Sequence, residues 1–239
     1  MARFFVPSDA IDGEYIHIIG EEAAHMTRVL RMRAGDTFTA CDGAKTDYLC
    51  EIESADKKEV LAKICEKKEN EAESDIRITL YQGIPKGAKL DYIVQKCVEI
   101  GACSIVPVKT ERVVKGGDVK RERLSRIAFE AAKQSGRGII PEVGEALSFA
   151  DAASEAAAKT ELVLFPYECE KDMSLKCALR GKTPCSVSVF IGPEGGFSKA
   201  EVSLAKEKGF AIVTLGKRIL RTETAGAVTC GNIFYELEG

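Results

Sequence analysis

Two short stretches near the C-terminus concentrate the residue types that could do chemistry. The first, Phe190 to Phe197 (FIGPEGGF), holds three glycines, a proline and an acid between an apolar run and a helical pattern. Gly192, Gly195 and Gly196 let backbone N–H and C=O groups approach a ligand closely, and Pro193 stiffens the turn. The second, LGKRILRTETAGA, sets Lys217, Arg218, Arg221 and Glu223 between a strand pattern and a helix. Long cations there can meet an anionic group, and a carboxylate can accept a proton. A plain structural reading competes at each place. The glycine stretch also suits a tight turn into a capped helix, and Glu223 also suits a helix N-terminus, where the dipole favours an acid.

These stretches belong to a series of strand and helix patterns. IRITLYQGI and SIVPVKT each precede a helical pattern, and ELVLFPYE, SVSVFIG and AIVTLG follow as unbroken apolar runs, as buried parallel strands tend to be. Helical stripes separate them, including Leu90, Ile93, Val94, Cys97 and Val98 in KLDYIVQKCVEIG, and VKRERLSRIAFEAAKQSG. Ser198 with Glu201 three residues later predicts a capping box. The alternation predicts an α/β domain over a mostly parallel sheet, whose ligands bind at the carboxyl ends of the strands. Three loops fall there: FPYECE, GPEGGF and GKRILRTETAG. No G-x-x-x-x-G-K-[ST] is present, nor G-x-G-x-x-G with an acid at the right distance, so a P-loop or Rossmann nucleotide site lacks its usual support.

The first 70 residues differ. EYIHII, DTFTACDG, DYLCEIESA and EVLAKICE are short strand patterns with one helical stretch, EEAAHMTRVL, which predicts a small antiparallel barrel or sandwich with one helix. The charged run Glu66 to Asp75 suits an exposed linker, giving domains over 1–70 and 74–239. The net charge of −3 exerts no global attraction for nucleic acid. Residues 1–70 carry 10 basic and 14 acidic side chains, the rest 24 and 23, yet Arg28, Arg31 and Arg33 cluster within six positions. A solvated helix end is their plain reading. The nine cysteines form no C-x-x-C pair, so they are expected to be mostly small buried hydrophobes in a reduced, cytoplasmic protein with no metal. No apolar run approaches the roughly 20 residues that span a bilayer, and no signal-peptide h-region is present.

GPEGGFSKAE and LGKRILRTETA resemble the C-terminal motifs of the RsmE family of SPOUT methyltransferases. HMTRVLRMRAGD resembles that family's N-terminal PUA-like barrel, and IPKGAKLDYIVQKCVEIGACSIVPV and RIAFEAAKQSGRGIIPEV resemble the start of its catalytic domain. The similarity spans nearly the whole chain in order and spacing, with Ser135 a conservative departure. It implies a PUA-like β-barrel followed by an α/β SPOUT domain with a deep trefoil knot. It also implies a homodimer and transfer of a methyl group from S-adenosylmethionine to N3 of a uridine near the decoding centre of 16S rRNA in the small ribosomal subunit. A SPOUT enzyme acting on a tRNA base or a ribose 2′-hydroxyl is the alternative, and a non-catalytic RNA-binding module a further one.

On that resemblance the cofactor would contact Leu164, Phe165, Pro166, Ile191, Gly192, Pro193, Glu194, Gly195, Gly196, Leu215, Gly216, Ile219, Leu220, Thr224 and Ala225. Uracil N3 keeps its proton at neutral pH, so a base, or cations that stabilise the anion on O2 and O4, is expected. Glu223 is the preferred proton acceptor, Arg221 the candidate for stabilising the anion, and Glu194 a ribose contact. Arg137 would reach the target nucleotide; its plain reading is a helix end, with Gly136 supplying the turn. Arg28, Arg31 and Arg33 become a phosphate-contacting edge. Lys109, Arg112, Lys115, Lys120, Arg121 and Arg123 form a second basic band.

Overall fold

The computed structural model describes residues 1–113 and 119–238, and the chain forms two units. The first comprises residues 1–73 together with 132–140, and the second comprises 74–131 and 141–239. Lys115 lies outside the described residues.

The first unit is built on a six-stranded sheet. Its strands are β1 (Arg3–Phe5), β2 (Ile11–Asp12), β3 (Tyr15–Ile19), β4 (Thr37–Cys41), β5 (Thr46–Ala55) and β6 (Glu59–Glu69), in the order β1-β4-β5-β6-β3-β2. All neighbours are antiparallel except β1 and β4, a parallel pair that the strand patterns did not predict. Register shifts after Leu49 and Ile52 bend β5 against β6, as bulges do. The curled sheet closes on one apolar core: Phe4, Ile16, Phe38, Cys50, Ile52 and Val60 are fully or almost fully buried with Met26. Met26 lies in the helical segment predicted here, a short α1 (Gly20–Ala24) continued by a π turn over His25–Val29.

The run predicted as an exposed linker is instead half strand and half anchor. Glu66 to Glu69 complete β6. Buried Asn70 donates to Asp47 Oδ2 at 2.9 Å and to the Gly136 carbonyl at 3.0 Å. Asp47 also receives both guanidinium nitrogens of Arg3, at 2.7 and 2.8 Å. Glu73 holds Arg137, with its Oε2 2.7 Å from Nη2, and accepts the backbone N–H groups of Gly138 and Ile139. Charged and polar groups of this kind are buried only when paired, and losing one partner of such a pair costs about 3–5 kcal/mol. Composition alone gives no sign of these partners, and those in segment 136–139 lie more than 60 residues away in sequence.

The second unit has seven strands, and every pairing is parallel: β7 (Arg77–Gly83), β8 (Ser104–Lys109), β9 (Glu142–Val143), β10 (Leu147–Ser148), β11 (Leu162–Pro166), β12 (Ser186–Ile191) and β13 (Ala211–Val213). Their order is β10-β8-β7-β12-β11-β13, with β9 also on β8. The helices are α2 (Lys89–Ile100), α3 (Arg121–Gln134), α4 (Phe149–Lys159), α5 (Leu175–Leu179), α6 (Lys199–Glu207) and α7 (Thr222–Leu237), with the last residues of α3 belonging to the first unit. The predicted stripe of α2 is buried, and Ser198 and Glu201 form the predicted capping box of α6. Phe149, Phe165, Phe190, Phe197 and Tyr81 pack into one aromatic core, with Tyr81 stacked on Phe190 at 4.6 Å.

Four of the nine cysteines (Cys41, Cys50, Cys97 and Cys230) are buried, whereas Cys65, Cys169, Cys177 and Cys185 are exposed, so the expectation of mostly buried thiols holds for fewer than half. Burial pushes the Cys41 and Cys50 thiols up to about 11, which keeps them protonated and unreactive at neutral pH. No helix among the described residues is long and apolar enough to cross a membrane.

Burial alone would push the Asp47 carboxyl up, but hydrogen bonds from Arg3 and Asn70 and the Arg3 charge outweigh it and hold it below its usual range. Its contribution to stability is therefore complete above the ordinary value of about 3.9 and is lost as pH falls through the lower folded value. Asp47→Asn is expected to destabilise the chain by about 3 kcal/mol at pH 7 in urea titrations, because Arg3 is left unpaired. The gap from wild type should shrink at pH 3 and below. A gap that does not change with pH would show that the carboxylate charge is not what holds this network.

Candidate functional site

The parallel register brings the carboxyl ends of four strands to one edge of the second unit's sheet. Ile191 of β12 sits opposite Gln82 of β7, and Pro166 of β11 opposite Val213 of β13. The loops leaving β11, β12 and β13 wall a cleft of about 950 Å³ there. These are the three loops singled out from the sequence.

The glycine loop owes its path to close backbone approaches. A Cβ on Gly83, at the end of β7, would lie 2.6 Å from Pro193 Cδ, so only glycine lets the loop cross there. Gly196 has φ +65°, and a Cβ on it would sit 2.8 Å from Glu168 Oε1. Its N–H closes the turn on the Pro193 carbonyl at 2.9 Å. Arg112 donates to the Gly195 carbonyl at 2.9 Å, so this member of the expected basic band is a strut of the loop. Arg121 and Arg123 are likewise engaged, with Glu145 and Asp91 respectively.

The start of α7 is fastened to this loop by a buried polar clasp. Thr222 Oγ1 donates to the Gly192 carbonyl at 2.6 Å and accepts from Gln82 Nε2 at 2.9 Å. Gln82 is wholly buried and Thr222 nearly so. The clasp joins the end of β7, the loop after β12 and the first turn of α7, three segments far apart in sequence.

Charged groups gather beside it. Lys89, on the first turn of α2, places Nζ 2.9 Å from Glu194 Oε1 and 3.4 Å from Glu223 Oε2. The backbone N–H of Lys86 lies 3.3 Å from both Glu194 oxygens. Burial would push the Glu194 carboxyl up, but the Lys89 hydrogen bond, backbone N–H groups and the Lys89 charge hold it below its usual range. The Glu194 hydrogen bond in turn raises Lys89, against a smaller opposing effect of burial, so the ammonium stays charged. Arg221 is the N-cap residue of α7, with its side chain 82% exposed and 3.9 Å from Glu223.

Most of the residues predicted from the sequence meet in this cleft: Pro166, Ile191 to Gly196, Leu215, Gly216, Ile219, Leu220, Ala225, Arg221 and Glu223 line it. Three do not. Leu164 and Phe165 are wholly buried in the core beneath it, because alternate residues of a strand buried on both faces have no side open to a ligand, and Thr224 points to solvent from α7. Arg137 belongs to the first unit, where its side chain is 4% exposed and ion-paired with Glu73. The plain helix-end reading describes it: Gly136 has φ +75°, and Arg137 N–H bonds to the Ala132 carbonyl. Sequence reasoning missed Lys89 as a cleft residue, while Glu168 and Thr222 lie in two of the loops it singled out. Lys89 had a visible signal, a cation at the start of a helix that follows a core strand.

In the first unit, Arg28, Arg31 and Arg33 are exposed and line a second cleft of about 840 Å³ with Lys57 and Lys58. None of these five forms an ion pair with a carboxylate among the described residues. No group of three potential metal ligands occurs among the described residues.

Thr222→Val preserves shape but removes the bond to Gly192 and leaves the Gln82 amide with one of its two acceptors, the Gly83 carbonyl. Unsatisfied buried groups cost about 1–3 kcal/mol, so calorimetry should show a melting temperature lower by about 5 °C. A value within about 1 °C of the parent would mean that the clasp holds nothing together.

The geometry agrees with comparisons to known proteins. Residues 72–233 match a family pattern described as an RNA methyltransferase domain, and residues 18–65 one described as an RNA methyltransferase PUA domain. A Bacillus subtilis protein named ribosomal RNA small subunit methyltransferase E is 35% identical over 250 residues, covering 100% of this chain and 98% of its own length. A Synechocystis protein of the same name is 33% identical, covering 99% of this chain and 78% of its own. Among solved structures, a ribosomal RNA small subunit methyltransferase E from Neisseria gonorrhoeae bound to S-adenosyl methionine superposes with a TM-score of 0.85 at 31% identity, covering 98% and 97% of the two chains. With fold, cleft loops and full-length similarity in agreement, this chain belongs to the ribosomal RNA small subunit methyltransferase E family of RNA methyltransferases.

Proposed function

We propose that this chain methylates N3 of a uridine in the 16S rRNA of the small ribosomal subunit, with S-adenosylmethionine bound in the cleft of the second unit. The observation that carries the reading is the cleft itself: a glycine loop, an apolar and cationic loop and paired carboxylates converge at the carboxyl ends of parallel strands. Its residues fit the cofactor. Ile191, Leu215, Ile219 and Leu220 offer apolar surface for an adenine face, and the bare backbone of Gly192 to Gly196 can reach polar edges. Glu194 and Glu223 supply negative charge opposite a sulfonium. When bound, the cofactor supplies an electrophilic methyl group. The protein's share is to align the base, accept the N3 proton at Glu223, and stabilise the uracil anion with Arg221, whose exposed guanidinium is open to a substrate.

Arg28, Arg31 and Arg33, joined by Lys57 and Lys58, offer phosphate contacts that position the RNA. A homodimer is part of the proposal: Tyr92 of α2 and Val228 and Tyr235 of α7 are exposed, with Tyr235 83% so, and an apolar face of this kind suits a second copy. So is a knot formed by threading of the C-terminal segment, supported by the clasp that ties the start of α7 to the ends of two inner strands. The substrate places the enzyme in the cytoplasm.

Mass spectrometry of rRNA nucleosides tests the product. A deletion strain should lose 3-methyluridine from 16S rRNA and regain it on complementation; persistence of 3-methyluridine with loss of another methylated nucleoside would point to a different target. For the cofactor, Gly196→Val adds a Cβ against Glu168 in a backbone region that valine avoids. About 2–3 kcal/mol of strain corresponds to roughly 100-fold weaker binding of S-adenosylmethionine by calorimetry. Unchanged affinity would move the cofactor out of this loop. Changing Arg28, Arg31 and Arg33 together to Gln should weaken RNA binding and flatten its salt dependence, by about 0.7 in slope for each phosphate no longer neutralised. An unaltered slope would exclude this edge from the RNA interface.

A further inference from the structure

Lys89 touches both carboxylates of the cleft, yet the two are held in different ways. Glu194 is anchored twice, through the Lys89 ammonium at the start of α2 at 2.9 Å and the Lys86 N–H in the loop before it at 3.3 Å. It acts as a fixed strut between α2 and the glycine loop. Glu223 is only 20% exposed, and its Oε2 is buried with no hydrogen-bond partner, although the Lys89 ammonium lies 3.4 Å away. Its other neighbouring cation, Arg221, is 3.9 Å from Oε1 on a side chain that is itself mostly in solvent. Lys89 is therefore the cation paired with the buried Oε2 of Glu223, and a substrate donor would meet the other oxygen, Oε1.

We propose that Lys89 is a positioning residue for the reaction: it uses Glu194 as its own anchor and holds Glu223 where that carboxylate can receive the N3 proton of the target uracil. The inference rests on the function proposed above. In the step it serves, the N3–H bond breaks and the proton passes to a Glu223 oxygen. The N3 lone pair forms the new bond to the methyl carbon, and the S–CH3 bond of the sulfonium breaks with its electron pair staying on sulfur. The arrangement serves geometry: the Lys89 ammonium 3.4 Å from Oε2 limits the freedom of the Glu223 side chain. A misplacement of about 1 Å costs on the order of 100-fold in rate, and general-base assistance contributes about 100-fold to 10,000-fold.

The experiment is a double-mutant cycle on Lys89→Met and Glu223→Gln, with Lys89→Arg as the conservative variant. The full-length protein is assayed with radiolabelled S-adenosylmethionine on small ribosomal subunits from the deletion strain. Total methyl transfer and 3-methyluridine are scored separately, and affinity for S-adenosylmethionine is measured by calorimetry on each variant. Lys89→Met should lower kcat about 100-fold while changing the cofactor Kd by less than about threefold. Lys89→Arg should restore most of the rate. The double variant should be no slower than Glu223→Gln alone, because Lys89 acts through Glu223. Multiplying losses in the double variant, or a cofactor Kd that rises in step with the loss of kcat, would overturn the positioning role and make Lys89 a strut of the cofactor site. If the wild-type protein transfers methyl groups without forming 3-methyluridine, the proposed function fails, and the proton-accepting role of Glu223 fails with it. That outcome is read from the product alone, so the two failures are distinguishable.

Discussion

The cleft depends on one hydrogen bond, from the Thr222 hydroxyl to the Gly192 carbonyl, backed by the wholly buried Gln82. A strand-end carbonyl beside a glycine-rich loop has no partner in the sheet, and a buried acceptor left unpaired costs about 1–3 kcal/mol. Supplying that partner from the first turn of α7 brings the cationic loop against the glycine loop. The same contact sets Arg221 and Glu223, which flank Thr222, at the mouth of the cleft. Glycine at position 83 is the complementary requirement, since any side chain there would collide with Pro193 and push the loop away. Backbone satisfaction and steric access thus shape the cleft before any ligand enters it.

Charge is distributed by burial rather than by residue type. Arg3 and Arg137 are arginines in a basic-looking sequence context, yet both are buried against carboxylates and fasten segment 132–140 and the start of β1 to the small sheet. Lys133 adds to this fastening, with its ammonium 4.6 Å from the Phe4 ring centroid and beside Glu22. Arg28, Arg31, Arg33 and Arg221 carry the same charge but face solvent, where an approaching polyanion can reach them. The cleft has its own internal order: Lys89 keeps Glu194 ionised, so that carboxylate is a tie, while Glu223 retains an oxygen with no donor.

Much of this was legible in the sequence. Largely apolar runs marked five of the seven strands of the parallel sheet, because strands covered on both faces need no polar alternation. The capping box at Ser198 and the buried stripe of α2 follow from local periodicity and short-range hydrogen bonding, which do not depend on the rest of the fold. The glycine and cationic loops stood out because glycine density and clustered long cations exceed what a connection requires. Two-residue strands such as β9 and β10 were not legible, since two residues carry no period.

Only the tertiary structure decided which of these residues meet. Leu164 and Phe165 sit in a loop-flanking strand but point into the core, a matter of register that sequence does not reveal. The stretch from Glu66 to Asp75 reads as a solvated linker, yet the Asn70 and Glu73 side chains are buried against Gly136 and Arg137, more than 60 positions away. Arg137 sits at a helix end turned by Gly136, as its local sequence reads, with its side chain paired to Glu73. Lys89 stood at the start of a helix after a core strand, but its pairing was not legible because its two carboxylates lie over 100 residues downstream. The sequence alone determined the elements, the loops and the family; the sheet's parallel register decided the site, because it alone brings the ends of distant strands to one edge.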